Sequence, residues 1–78
     1  MFEKIKIKIE GVRSQNDKNL IETEIDVLGG VKNISVDEKS GESRIEFDSV
    51  LIGSESIIET IEKLGYRVEE GAEVSAVP

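Results

Sequence analysis

The chain has 78 residues, and its 17 acidic and 10 basic side chains give a formal net charge of -7. This length suits one domain with one hydrophobic core. The sequence contains neither cysteine nor histidine. That composition excludes disulfides, thiolate metal sites and thiol redox chemistry, and it removes the commonest metal ligand and the usual general base near neutral pH.

The acidic balance argues against nucleic acid or an anionic membrane as the principal partner. No apolar run is long enough to span a bilayer, so we expect no membrane insertion. The N-terminal residues alternate between apolar and charged types, whereas a signal peptide needs a continuous apolar block. We therefore expect a cytoplasmic protein.

The first half of the chain predicts a strand, a capped helix and a second strand. Isoleucines alternate with lysines through residues 2–10, which is typical of a strand with one buried face. Ser14 and Asp17 stand three residues apart, as in a capping box, with each side chain bonded to the other residue's backbone amide. Apolar residues at helical spacing carry the helix to about Leu28, and two glycines end it. A strand over residues 31–37 follows.

The second half predicts a hairpin, a second helix and a short last strand. The turn over residues 38–42 contains Gly41, the best candidate for a positive φ angle, and residues 43–48 return as the third strand. Ser54 is the predicted N-cap of the second helix, whose apolar positions are Ile57, Ile58, Ile61 and Leu64. Residues 66–68 form the last strand. We expect a domain over residues 1–68, and residues 69–78 as a flexible tail or the stub of a linker.

This βαββαβ order predicts an α+β fold of the ferredoxin-like type, a four-stranded antiparallel sheet with two helices on one face. Three segments in this order resemble the heavy-metal-associated domains, which are copper-chaperone-like modules. The matching segments are Ile21-Glu22-x-x-Ile25-x-x-Leu28-x-Gly30-Val31, Ile45-x-Phe47-Asp48 and Ile57-x-x-x-Ile61-Glu62-x-x-Gly65-Tyr66. The resemblance implies a relation to metal-transport or detoxification proteins.

In that family, a Met-x-Cys-x-x-Cys loop before the first helix holds a soft metal ion. Here Val12 takes the place of the methionine, and Ser14 and Asp17 take the places of the two cysteines. Tyr66 takes the place of a tyrosine that lies beside the metal loop in many bacterial members, and we expect it to cover the edge of the core. Cu(I) selects soft ligands, and a calcium site needs six to eight oxygens. We therefore interpret Ser14 and Asp17 as a helix cap and expect no metal site and no cofactor.

Other features leave alternatives open. Leu20 and Val27 lie about a quarter turn from the apolar stripe of the first helix, and we consider them either a partner patch or a pair that packs beneath the sheet edge. The lysines of the first strand favour cross-strand pairing with Glu46 and Asp48 over an RNA platform, which would need aromatic side chains. Enzymes of the acylphosphatase type share this topology and bind phosphate in the loop after the first strand. Here that loop is poor in glycine and the chain is acidic, which argues against such an enzyme.

The predicted function is a non-catalytic interaction or regulatory module whose partner is another protein or domain. One alternative is a metal-handling domain that binds an ion weakly through the Ser14–Asp17 loop or together with a partner. A second alternative is a ferredoxin-like sensor of a small ligand, which would need a pocket and a dimer interface.

Overall fold

A computed structural model describes residues 1–69 and 73–75. The elements in chain order are β1 (Phe2–Glu10), α1 (Gln15–Asp26), β2 (Val31–Val36), β3 (Glu42–Asp48), α2 (Ser54–Lys63), β4 (Arg67–Val68) and β5 (Glu73–Ser75). The first six elements confirm the predicted order.

The sheet has the strand order β2-β3-β1-β4, and each neighbouring pair is antiparallel. Each helix therefore connects two strands that are not neighbours, as the split βαβ topology requires. The ferredoxin-like fold class predicted from the sequence is confirmed.

The core lies between the sheet and both helices. The isoleucines of β1 are at most 2% exposed, and α1 and α2 each add two fully buried isoleucines. Because both helices pack on the side chains that the strands bury, they share one face of the sheet and leave the other face open. The buried apolar residues of this core are Ile5, Ile7, Ile9, Ile21, Ile25, Val36, Ile45, Phe47, Ile57 and Ile61.

The C-terminal end of α1 and the N-terminal end of α2 differ slightly from the predicted ones. The first helix ends at Asp26 with Val27 as its C-cap, two residues before the predicted end. The N-cap of α2 is Gly53, not Ser54, and it makes no side-chain capping bond. Glycine is tolerated at an N-cap because it adopts the extended cap conformation without strain. Ser54 is the first residue of the helix.

The predicted tail contains a strand. Residues Glu73–Ser75 pair antiparallel with β1, and Val74 lies opposite Ile5. Because β4 pairs only with Ile9 and Glu10, the rest of that edge of β1 offers backbone groups that β5 takes up. Glu73–Ser75 therefore form a strand inside the segment predicted as a flexible tail or the stub of a linker. Residues 70–72 and 76–78, which the prediction also covered, lie outside the described residues.

The predicted cross-strand pairing of the β1 lysines is present for Glu46, which lies opposite Lys4, but not for Asp48, which lies opposite Phe2 and binds the amino group of Met1 at 2.9 Å. Among residues 1–69, none of these lysines forms an ion pair. The two other ion pairs among the described residues are within the helices, Lys18–Glu22 and Lys63–Glu59. In the same described ranges, neither helix has the length and apolarity needed to cross a bilayer.

Candidate functional site

The loop between β1 and α1 passes close to the ring of Tyr66. Gly11 has a φ angle of 101°, and a Cβ atom on it would lie 3.3 Å from Cδ1 of Tyr66. Glycine therefore serves two needs here, a positive φ angle and room for the aromatic ring. Val12, which takes the place of the family's loop methionine, is half-buried against the core.

Ser14 is the N-cap of α1, as predicted. Its backbone is extended, with φ -150° and ψ 167°, and its Oγ accepts a hydrogen bond from the Asp17 amide at 3.3 Å. The reciprocal bond differs from the capping-box prediction, because the Arg13 amide donates to Oδ2 of Asp17 at 3.0 Å. Aspartate is one methylene shorter than the glutamate of a typical capping box, so its carboxylate reaches a different donor of the loop.

Two more donors complete the surroundings of the Asp17 carboxylate. The Ser14 hydroxyl donates to Oδ2 at 3.2 Å, and the Tyr66 hydroxyl donates to Oδ1 at 2.6 Å. Tyr66 also packs against the core, as expected, but its bond to Asp17 is not predicted from the sequence. The carboxylate thus ties the start of α1 to the segment just before β4, and both of its oxygens are occupied by donors from the chain.

The contact shifts both titrating groups. The Tyr66 hydrogen bond, followed by the bond from the Arg13 amide, holds the pKa of Asp17 below its ordinary 3.8. The bond to Asp17, with burial and the negative charge of the carboxylate, raises the pKa of Tyr66 from 10.0 to about 12. A donated bond is lost when the phenol ionises, which explains the direction for Tyr66.

These pKa shifts define the pH range in which the contact stabilises the fold. The contribution linked to the raised pKa of Tyr66 is fully present below pH 10.0 and is lost as the pH rises through about 12. The contribution linked to the lowered pKa of Asp17 is present above 3.8 and is lost as the pH falls through that lowered value. Between these limits the latch, which we define as the Asp17–Tyr66 bond, is closed.

The oxygen atoms of the loop are unsuitable ligands for a soft metal ion. A serine hydroxyl and an aspartate carboxylate are hard ligands, whereas Cu(I) prefers thiolate or thioether sulfur. Within the described ranges, no group of three or more acidic, histidine or cysteine side chains could hold a metal ion. Of the predicted positions, Ser14, Asp17 and Tyr66 come together at this loop.

Leu20 and Val27 lie elsewhere on α1. Leu20 is 42% exposed and Val27, the C-cap residue, is 72% exposed. Seven residues correspond to almost two helical turns, so the two side chains lie on the same side of the helix, about 10 Å apart along its axis. Both side chains are exposed, and the partner patch stays a prediction.

The family model for the heavy-metal-associated domain matches residues 6–67. The chain belongs to the heavy-metal-associated (HMA) domain family. This HMA domain is 32% identical over 69 residues to the copper chaperone CopZ of Staphylococcus epidermidis. The matched region covers 88% of this chain and 100% of that protein. It is 28% identical over 64 residues to the copper-transporting ATPase RAN1 of Arabidopsis thaliana, of which it spans 6%.

The solved structures agree with this assignment. The HMA domain superposes on the copper-binding domain from HMA7, a P-type ATPase, with a TM-score of 0.81 and 28% identity, covering 95% of each chain. The predicted family is therefore confirmed, as is the relation to copper-transport and copper-chaperone proteins. This HMA domain differs from the family pattern at the positions of both loop cysteines, since its sequence contains no cysteine.

Proposed function

We propose that this HMA domain is a non-catalytic, protein-binding module of a copper-transport or detoxification system, and that it carries no metal ion. The observation that supports this proposal is the state of Asp17. Its carboxylate stands where the family has its second cysteine, and it accepts hydrogen bonds from Tyr66, Arg13 and Ser14. A metal ion at this position would have to displace these donors.

The closed loop also supports a role that depends on shape. Ser14 caps α1 through its side chain, and the latch joins the loop to Tyr66, so the metal-binding surface of the family is replaced by a fixed polar surface. A domain that keeps its fold without metal can still bind the partners of such a system. Its partner would be another protein or domain.

The alternative is a weak metal site formed by the same loop. The pKa of Asp17 lies below its ordinary 3.8, so the carboxylate is ionised at neutral pH, and the Ser14 hydroxyl lies beside it. Against this alternative, a calcium site needs six to eight oxygen ligands. One carboxylate and one hydroxyl supply too few.

An amide NMR titration of the isotope-labelled chain with Cu(I), Zn(II) and Ca(II) in turn tests the proposal. Because the loop offers only hydrogen-bonded oxygens, we expect no saturable shift at residues 11–18 or at Tyr66 up to millimolar ion. The Asp17→Asn variant is the control, since it removes the one charged ligand that the alternative requires. Saturable shifts of these amides at micromolar ion, absent from that variant, would contradict the proposal and support the alternative.

A further inference from the structure

The open face of the sheet carries basic side chains at its centre. We define this face by the outward residues in the middle of its two central strands, which are Lys4, Lys6, Lys8, Glu42, Arg44 and Glu46, while the outward residues Phe2, Glu10 and Asp48 lie at the ends of the same strands. Neither helix covers it, because both pack on the opposite face. Four cations and two acids meet here, in a chain whose formal net charge is -7.

The register of the strands places two cations side by side. Lys4 lies opposite Glu46 and Lys8 lies opposite Glu42, but Lys6 lies directly opposite Arg44. On its other side Arg44 faces Ser35 of β2, so no acid lies directly beside it on either neighbouring strand. Like charges directly opposite each other destabilise a sheet, so this pair does not favour folding.

Among residues 1–69, the Arg44 side chain forms none of the ion pairs and no hydrogen bond. The next strand, β5, places Glu73 opposite Lys6, on the far side from Arg44. The planar N–H donors of the guanidinium can therefore bind a carboxylate of a ligand on this face.

A shallow groove of about 330 Å³ runs over this cation pair. Lys4, Lys6 and Arg44 line it, and Asn33 and Ser35 of β2 add neutral polar groups beside them. Among residues 1–69, Glu46 is the only acidic residue of the lining. The groove therefore attracts anions in its middle and is open enough to admit an extended chain.

We propose that this groove is the docking surface for a short acidic segment of a partner protein, whose carboxylates bind Arg44 and Lys6. The proposal rests on the protein-binding function given above and names the chemistry of the partner. A short segment stays within the basic patch, since charges more than about 10 Å away are largely screened at moderate ionic strength. A long polyanion would extend onto the acidic remainder of the surface.

Aromatic placement favours this partner over nucleic acid. Single-stranded RNA needs exposed rings on which bases stack. Of the three aromatic side chains, Phe47 is fully buried, Tyr66 binds Asp17, and the ring of Phe2 lies under the ammonium group of Lys32 at 4.6 Å. The centre of the open face has charge but no stacking surface.

The test is an amide NMR titration of the labelled chain with a peptide of alternating glutamate and alanine. We expect saturable shifts at Lys4, Lys6, Ser35 and Arg44, and a loss of affinity of about fivefold or more in Arg44→Gln, because one charge-assisted contact is removed. Lys63→Gln is the matched control, since it removes an exposed cation from α2 and should leave the affinity unchanged. Arg44 is exposed, so its replacement should not impair folding.

Several outcomes would overturn the proposal. These are the absence of shifts on the sheet, equal binding of a peptide of alternating glutamine and alanine, binding of inorganic phosphate as tight as that of the peptide, and tighter binding of a single-stranded oligonucleotide. The same spectra separate this proposal from the proposed function. If the docking surface is wrong, the peptide shifts no amide of the sheet, and metal ions still shift no amide of residues 11–18. If the loop binds metal, metal ions shift the amides of residues 11–18 and leave those of the sheet unchanged.

Discussion

The double variant Ser14→Cys/Asp17→Cys is expected to bind one Cu(I) ion per chain, whereas the natural chain binds none. The two positions start α1 and stand three residues apart, so both side chains face the same loop. Thiolates are the soft ligands that Cu(I) selects, and a helix N-terminus lowers the pKa of a thiol. The measurement is an anaerobic titration of Cu(I) against a competing chelator.

A second pair of cysteines with the same spacing is the control for this gain. The variant Thr23→Cys/Asp26→Cys places two thiols on an exposed part of α1, away from its N-terminus. Because two thiols with ordinary pKa values are mostly protonated at neutral pH, its affinity should be lower by about a hundredfold. Equal affinity of the two double variants, or tight Cu(I) binding by the natural chain, would contradict this account of the loop.

Replacement of Gly41 by alanine is expected to cost about 3 to 5 kcal/mol of the free energy of unfolding. Gly41 has a φ angle of 78°, and a Cβ atom on it would overlap the carbonyl oxygen of Ile9. The close approach is needed because the Ile9 amide donates to the Gly41 carbonyl at 2.8 Å, which joins the hairpin turn to the end of β1. A domain of this size has a total stability of roughly 4 to 12 kcal/mol.

Thermal unfolding followed by circular dichroism measures the effect of Gly41→Ala. A loss of this size lowers the melting temperature by about 15 °C or more. Gly29→Ala is the matched control, because Gly29 has no positive φ angle and a Cβ atom on it would meet nothing within 4 Å. Melting of Gly41→Ala within a few degrees of the natural chain would show that the turn relaxes without harm to the sheet.

Local patterns predicted most of the fold. The alternation of isoleucine and lysine in β1 predicted both the strand and its buried face, because side chains of a strand point alternately to its two faces. Ser14 was recognisable as an N-cap because the cap bond forms within one helical turn. The strand β5 was missed because it is short and lies in a polar segment, and its pairing depends on a free edge of β1 that only the folded sheet presents.

The site was predicted only in part. The resemblance to the family placed Ser14 and Asp17 at the cysteine positions and Tyr66 close to the loop. The bond between Tyr66 and Asp17 joins residues 49 positions apart, and no local pattern reports a contact at that distance in sequence. The sequence signal for this bond was the combination of Asp17 at the second cysteine position and Tyr66 at the position that flanks the loop.

The near-ultraviolet absorbance of tyrosinate, followed against pH, tests the closed latch most directly. Tyr66 is the only tyrosine and the chain has no tryptophan, so the titration reports one group. We expect the natural chain to show a pKa of Tyr66 of about 12, and Asp17→Asn to bring that pKa back toward 10.0. The control variant Asp26→Asn, which changes an exposed carboxylate at the other end of α1, should leave it unchanged. A pKa of Tyr66 near 10.0 in the natural chain would mean that Asp17 is not bound by Tyr66, and the loop would then be open to other ligands.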